Sequence, residues 1–199
     1  TITEPALSWY GGFFEATLPL IWFDEKSLIP NYNIIEDFIN VQKTHADKYN
    51  IPFATESYDV SNSSNYLSEG VPELSESKII SNNSFANRMS GSPYSIALYS
   101  IYNKDDATIR FKRLESQFPA IKSSAGWYDT ISATGAISDV VVGFHQAIII
   151  NAYISKSVRN NFDNYVKSKG YDQKIKTLYS DFVVDRKYQL VNGSVNLIP

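Results

Sequence analysis

Apolar residues recur at helical spacing along most of the chain, and this pattern limits the fold to a mainly helical one. Within each such segment the apolar positions fall three or four residues apart, as on one face of an α-helix. Because short links join several of these segments, we expect antiparallel helical hairpins. The long predicted helices cover residues 31–49, 93–103, 105–117 and 140–158, and shorter patterns lie near 12–26, 161–168 and 172–184.

Particular residues mark the predicted helix ends. Pro93 suits the first turn of the helix that it begins. Asp105 is expected to cap the next helix, and Ser138 or Asp139 to cap the helix at 140–158. That last helix is apolar on nearly all sides, which favours a buried position.

Two stretches depart from the helical pattern. Residues 51–92 are rich in Ser, Asn, Gly and Glu without a sustained period, and a loop of this length in a compact domain is usually functional or disordered. Its scattered aromatic and acidic residues favour a functional, partly ordered loop. In "YQLVNGSVNLI" apolar residues flank Asn192-Gly193, which predicts a small C-terminal β-hairpin.

The absence of cysteine and the mild acidity of the chain exclude several classes of function. The chain has 199 residues, a formal net charge of -3 and no cysteine, which rules out disulfides, thiolate metal sites and a cysteine nucleophile. With two distant histidines we expect no metal site, and no motif predicts a cofactor. No block of basic residues predicts a nucleic-acid partner, and no apolar run reaches the ~20 residues that span a bilayer.

Two glutamates are candidates for acid–base chemistry. Glycoside cleavage typically uses a pair of carboxylates, one held protonated as the general acid and one ionised. Glu56 follows an apolar turn in "IPFATESYD", where partial burial would raise its pKa into the working range of an acid; a solvated loop acid is the alternative. Glu15 lies within the apolar run "SWYGGFFEATLPLIWFDE". It either contacts a sugar or accepts backbone N–H groups near a helix N-terminus.

Several sequence blocks, in order, resemble those of one known family. "GGFFEATLP" is similar to a Gly-Gly-x-x-Phe-Glu-Ala-x-x-Pro motif, and "ADKYNIPFATESYD" to a segment that ends in Ser-Glu-Ser-x-Tyr. "SPYSIALYS", "RFKRLESQ", "GWYDTISATGAIS" and "HQAIIINAYISKSVRNNF" resemble later blocks. Together they resemble the bacterial glucoamylase-like family, which includes domains of cyclic β-1,2-glucan synthases and β-1,2-glucan hydrolases. The resemblance covers roughly residues 8–162.

The resemblance implies an (α/α) toroid, which is a ring of helical hairpins around a sugar-binding funnel. The predicted helices are too few to close such a ring, so we expect a partial toroid. Residues 1–160 would form the toroid-like domain, and residues 161–199 a helical extension that ends in the β-hairpin. We therefore expect either a homo-oligomer or an N-terminal half that this sequence lacks.

The resemblance also implies a set of site residues. Glu56 and Glu15 are the catalytic candidates, and Asp59, Glu69 or Asp129 is the expected partner of Glu56. Aromatic faces stack on sugar rings and carboxylates bind sugar hydroxyls. The expected sugar-binding residues are Trp9, Tyr10, Tyr58, Asp59, Trp127, Asp129, His145 and Gln146.

Two of these positions carry an alternative interpretation. His145 stands where the family has Asp, so a role that needs a permanent anion is lost or altered there. A satisfied core histidine is the alternative for His145. For Asp129 the alternative is a turn-forming residue that follows two core aromatics.

These features favour a carbohydrate-active protein that acts on a β-glucan or a related bacterial polysaccharide, as a glycoside hydrolase if it is active. An extracytoplasmic location in a bacterium is expected. The alternative is a non-catalytic glycan-binding or assembly module that has kept the fold and lost the chemistry.

Overall fold

The chain is mainly helical, as the apolar periodicity predicts. The computed structural model describes residues 5–30, 32–77, 89–185, 188–191 and 194–197, with side chains as far as residue 180. Short 3-10 helices at Leu18–Ile21, Pro72–Leu74 and Pro119–Ile121 join the longer elements. In this described part the α-helices are α1 (Phe13–Thr17), α2 (Glu25–Leu28), α3 (Ile34–Tyr49), α4 (Pro93–Tyr99), α5 (Lys104–Gln117), α6 (Gly143–Tyr153), α7 (Ser155–Ser168) and α8 (Asp172–Asp185).

One of the predicted helix starts is confirmed and one is wrong. Pro93 occupies the first turn of α4, where its missing N–H leaves no intrahelical bond unmade. Asn103, and not Asp105, caps α5, because the side-chain oxygen of Asn103 accepts a hydrogen bond from Asp106 N at 3.0 Å. Asp105 lies two residues further on, in the first turn, where its charge complements the helix dipole.

The predicted helix at 140–158 is in fact two helices. α6 begins at Gly143 without a side-chain cap, so neither Ser138 nor Asp139 has the expected capping role. The helical path is interrupted at Ile154, and α7 starts at the next residue. Ser138 instead accepts a hydrogen bond from the backbone N–H of Thr130.

The expectation that this apolar segment is buried on all sides is also wrong. His145, Ile148 and Ala152 are buried, because one face of α6 packs against α4. The other face leaves Ile150 and Tyr153 exposed to 62% and 80%. The apolar character of α6 therefore extends over an uncovered face, and no neighbouring element among the described residues hides it.

The strands form four short antiparallel pairs in the described residues. β1 (Ser57–Asp59) pairs with β2 (Asn62–Leu67), β3 (Ser90–Gly91) with β6 (Ile131–Ser132), β4 (Lys122–Ser123) with β5 (Gly126–Trp127), and β7 (Tyr188–Val191) with β8 (Ser194–Leu197). The β1–β2 pair gives order to the predicted loop, of which residues 78–88 lie outside the described residues. The β7–β8 pair confirms the C-terminal hairpin, and the Asn192-Gly193 turn predicted between these strands lies outside the described residues.

The core holds together the segments that carry the candidate acids. Phe13 at the start of α1 stacks on Phe53 with ring centroids 4.4 Å apart, and both side chains are fully buried. Gln42 of α3 is also fully buried, and its Nε2 donates to Gly11 O at 2.6 Å and to Ala54 O at 3.1 Å. One amide group thus joins the loop before α1 to the segment that leads to Glu56.

Among the described residues, no helix combines the length and the apolar character that a membrane span requires.

Candidate active site

Glu56 lies at the centre of the candidate site, at the end of a buried segment. Its Oε2 accepts a hydrogen bond from Thr55 Oγ1 at 2.9 Å, and the carboxylate lies against Gly12. Burial raises the pKa of Glu56 to about 7, and the negative charge of Glu15 adds to this increase. A carboxyl group with this pKa remains partly protonated near neutral pH, which is the state that a general acid requires.

A buried hydrogen-bonded pair beneath Glu56 fixes its backbone. Tyr94, in the first turn of α4, donates its hydroxyl hydrogen to Glu56 O at 2.9 Å and lies 2.8 Å from Thr55 Oγ1. The same threonine oxygen accepts a hydrogen bond from Phe14 N at 3.1 Å. Elements from three parts of the chain therefore hold the peptide of Glu56 in one position.

Glu15 lies close enough to Glu56 for their charges to interact. It is exposed in the first turn of α1, and its Oε2 accepts a hydrogen bond from the backbone N–H of Tyr10 at 3.2 Å. For Glu15 the sequence left two interpretations open, contact with a sugar or a structural bond to backbone N–H groups. The bond from Tyr10 N agrees with the structural interpretation. Because the side chain is exposed, contact with a sugar stays a prediction.

Asp129 and His145 form a buried pair on the other side of Tyr94. Asp129 Oδ1 is hydrogen-bonded to His145 Nδ1, while Asp129 Oδ2 accepts a bond from Tyr58 N at 2.7 Å. The side chains of the two residues are 0% and 4% exposed. His145 therefore has the buried, satisfied position that was its alternative interpretation, and its ring centroid lies 4.1 Å from that of Tyr94.

A carboxylate lies beside position 145, where the resemblance expects an Asp. The resemblance expects Asp where this chain has His145, and here the carboxylate of Asp129 lies directly beside the imidazole ring. On the opposite side of the ring, His145 Nε2 lies 3.3 Å from the hydroxyl oxygen of Tyr66. His145 thus lies between a carboxylate on one side and a tyrosine hydroxyl group on the other.

Two other expected partners of Glu56 are buried. Asp59 Oδ1 accepts bonds from Ser61 N at 2.9 Å and from Ser61 Oγ at 2.7 Å, which shapes the turn between β1 and β2. Glu69 is 1% exposed. A sugar-binding role for Asp59 stays a prediction. Of the acids expected near Glu56, Glu15 is the one whose negative charge raises the pKa of Glu56.

Aromatic side chains surround this group of acids. Trp9 is 48% exposed, and its ring meets that of Tyr10 edge-on with centroids 6.3 Å apart. Tyr58 meets Tyr66 in the same manner at 5.2 Å. Exposed aromatic faces beside carboxylates are the arrangement that a sugar ring requires.

Trp127 and Gln146 are joined to each other by hydrogen bonds, and their expected sugar-binding role stays a prediction. The ring of Trp127 packs against Phe111 at 5.1 Å and beneath Lys122 Nζ at 4.5 Å. It lines a cavity of about 840 Å³, to which α4, α5, α6 and α7 contribute residues. Gln146 donates to Trp127 O at 3.0 Å and accepts from Trp127 N at 3.1 Å, so its amide group fixes this backbone.

Three residues of the site were not found from the sequence. Tyr66, Tyr94 and Thr55 carry no motif of their own, and each gains its position from contacts across long sequence separations. Among the described residues, no group of His, Asp and Glu side chains is arranged to hold a metal ion.

Comparisons with known proteins identify the fold. No family model and no curated protein matches the chain in sequence. One similar solved structure is an endo-β-1,2-glucanase from Talaromyces funiculosus in complex with sophorose, with a TM-score of 0.70 and 14% sequence identity. The chain shares its fold with this glucanase. The alignment covers 87% of this chain and 36% of the glucanase.

A second structure supports the same assignment. It is a glutamate-to-glutamine variant of the endo-β-1,2-glucanase from Talaromyces funiculosus with β-1,2-glucan, with a TM-score of 0.69 and 13% identity. The alignment covers 96% of this chain and 38% of that one. The chain thus spans less than two fifths of the length of the two glucanase structures. The helical fold of these glucanases is consistent with the predicted partial toroid.

Proposed function

We propose that this chain is a carbohydrate-active domain that hydrolyses a β-1,2-glucan. The observation that supports the proposal best is the partly buried carboxyl group of Glu56, whose pKa of about 7 lies in the working range of a general acid. Glu15 is the second acid near it, and exposed aromatic rings lie beside both. The shared fold with two endo-β-1,2-glucanase structures supports the choice of linkage.

In the proposed reaction Glu56 donates its proton to the glycosidic oxygen as the bond from that oxygen to C1 breaks. A water molecule then bonds to C1 and gives up a proton to a carboxylate. Glu15 is the proposed acceptor, because its exposed side chain is reachable from solvent. Trp9, Tyr10 and Tyr58 would hold the sugar rings, and the bonds of Thr55 and Tyr94 keep Glu56 in place.

A non-catalytic glycan-binding module is the second candidate. The chain spans only 36% and 38% of the two glucanases, and the funnel of a closed toroid receives loops from the whole ring. This candidate retains the aromatic surface and gives Glu56 only a role in binding sugar hydroxyls. We also propose that the chain belongs to the bacterial glucoamylase-like family. The proposal further includes a division into two parts near residue 160 and an extracytoplasmic location in a bacterium.

Incubation with purified β-1,2-glucan oligosaccharides tests the proposal directly. Release of new reducing ends, with calorimetric binding measured in parallel, separates hydrolysis from binding. We expect β-1,2-linked oligosaccharides to be cleaved and β-1,3- and β-1,4-linked ones of equal length to remain intact. Binding without cleavage would support the second candidate, and neither binding nor cleavage would contradict both.

A further inference from the structure

Asp129 is the starting point of a chain of hydrogen bonds that leads from the core to the surface. Its side chain is fully buried, and Oδ2 accepts a bond from Tyr58 N at 2.7 Å and lies 3.4 Å from Thr130 Oγ1, whose hydrogen is donated to Tyr58 O at 2.7 Å. The bond from Tyr58 N compensates in part for the burial of a charged carboxylate. The other oxygen, Oδ1, is directed at His145 Nδ1.

The bond to Asp129 determines how His145 can act. An ionised carboxylate only accepts hydrogen bonds, so His145 Nδ1 carries a proton and donates it to Asp129 Oδ1. In the neutral ring, Nε2 is then an acceptor. The hydroxyl group of Tyr66 lies 3.3 Å from Nε2 and is the donor that faces it.

Tyr66 connects this buried pair to the surface of the candidate site. It lies in β2 and is 50% exposed, so part of its ring faces solvent. Burial of the rest raises the pKa of its hydroxyl group above the ordinary range, and the charge of Glu56 adds to this increase. The hydroxyl group therefore remains protonated, and Tyr66 lies near the proposed acid.

We propose that Tyr66 binds a glucan hydroxyl group beside Glu56, and that His145 and Asp129 are positioning residues that hold the Tyr66 hydroxyl in place. In the neutral form of the ring the Tyr66 hydrogen is donated to His145, so a lone pair of the Tyr66 oxygen is left to accept a hydrogen bond from the sugar. The ligand class is a neutral glucan whose hydroxyl group lies beside Glu56. This inference rests on the proposed function, because it takes the surface beside Glu56 as the glycan site.

The substitution Tyr66→Phe removes only the hydroxyl group and tests the proposal. Binding of a β-1,2-glucan oligosaccharide is measured in the Glu56→Gln background, where turnover does not interfere. Loss of one hydrogen bond to the sugar should weaken binding about 5- to 10-fold. Tyr165→Phe, at a tyrosine of similar exposure on α7, should leave the dissociation constant unchanged.

A spectroscopic measurement separates contact with the glycan from a purely structural role. The Nδ1 proton of His145 should give a downfield ¹H NMR resonance that His145→Gln abolishes. Addition of the oligosaccharide should shift this resonance in the otherwise unchanged protein, and Tyr66→Phe should remove the shift. A merely structural Tyr66 would leave the shift in place.

The outcomes distinguish this inference from the proposed function. If the oligosaccharide binds to Tyr66→Phe as tightly as to the parent protein, or binds without moving the His145 resonance, the role of Tyr66 is wrong while hydrolysis stands. If Tyr66→Phe weakens binding and removes the shift of the His145 resonance, but Glu56→Gln keeps its hydrolysis rate, the role of Tyr66 is supported and Glu56 is not the general acid. If no β-1,2-glucan binds at all, both proposals fail.

Discussion

Gly12 lies directly against the carboxylate of Glu56, and a methyl group added at Gly12 would come within 2.7 Å of Glu56 Oε1. The backbone of Gly12 has φ -72 and ψ 140, which any residue can adopt. The absence of a side chain is therefore required by the space that the carboxylate takes up. Gly11 differs, because its φ of +74 and the carbonyl oxygen of Val71 both exclude a side chain.

We expect Gly12→Ala to move the carboxylate of Glu56 toward solvent and so to lower the pKa of Glu56. The fold should persist, with a change in the free energy of unfolding within about 1 kcal/mol. An NMR titration of the Glu56 carboxyl carbon measures the pKa. Gly143→Ala, where a methyl group meets no atom within 4 Å, is the control and should leave that pKa unchanged. The same pKa of Glu56 in the unchanged protein, in Gly12→Ala and in Gly143→Ala would contradict the expectation.

The raised pKa of Glu56 should also make stability depend on pH. The ordinary value is 4.5 and the folded value about 7, so the folded protein binds this proton more tightly than the unfolded chain does. The stabilisation is complete below about pH 4.5 and is lost as the pH rises through about 7. Replacement by glutamine removes this loss.

Urea unfolding across this pH range measures the effect. The free energy of unfolding of Glu56→Gln, relative to the unchanged protein, should rise by at most about 3 kcal/mol between about pH 4.5 and pH 8. A relative stability that stays constant with pH would show that Glu56 titrates normally.

Arg110 and Arg113 of α5 both pair with Asp47 of α3, and they should differ greatly in their effect on stability. Arg110 is 6% exposed, forms bonds of 2.9 and 3.1 Å to the two oxygens of Asp47, and also pairs with Asp106 at 3.1 Å. Arg113 is 41% exposed and lies 3.6 Å from Asp47. Arg110→Ala should lower the free energy of unfolding by about 3 kcal/mol and Arg113→Ala by less than about 1. Losses of equal size in urea unfolding would contradict this account.

The uncovered face of α6 should make the isolated chain self-associate. Ile150 and Tyr153 are neighbours on this face and are exposed to 62% and 80%, and Ile154, which directly follows the helix, is exposed to 50%. Sedimentation should show association that increases with concentration and that Ile150→Asp weakens. Ile109→Asp, at a 63% exposed position on α5, is the matched control. A monomer at all concentrations would contradict self-association.

The helical period predicted the main helices because each of them buries an apolar face. The interruption at Ile154 was missed, since neither Gly nor Pro marks it and the apolar pattern continues across it. The cap of α5 was placed two residues late, at Asp105, because Asn and Asp cap helices about equally well and the sequence offers both types there.

The acids were found from the sequence, and their surroundings were not. Glu56 and Glu15 lie in blocks that resemble known motifs, so their types and order indicated chemistry. The contact between Tyr66 and His145 joins residues 79 positions apart, and no local pattern encodes it. The large cavity beside Trp127 could not be foreseen either, because it forms where four helices meet.

The dependence of kcat/KM on pH, measured with β-1,2-glucan oligosaccharides for the unchanged protein and for Glu56→Gln, tests the central claim most directly. If Glu56 is the general acid, the rate should fall as the pH rises above about 7, because the carboxyl group loses the proton that it donates. Glu56→Gln should retain oligosaccharide binding and lose at least about 100-fold in rate at and below about pH 7. A glutamine variant that keeps its full rate, or an unchanged protein whose rate shows no decline above pH 7, would contradict the account.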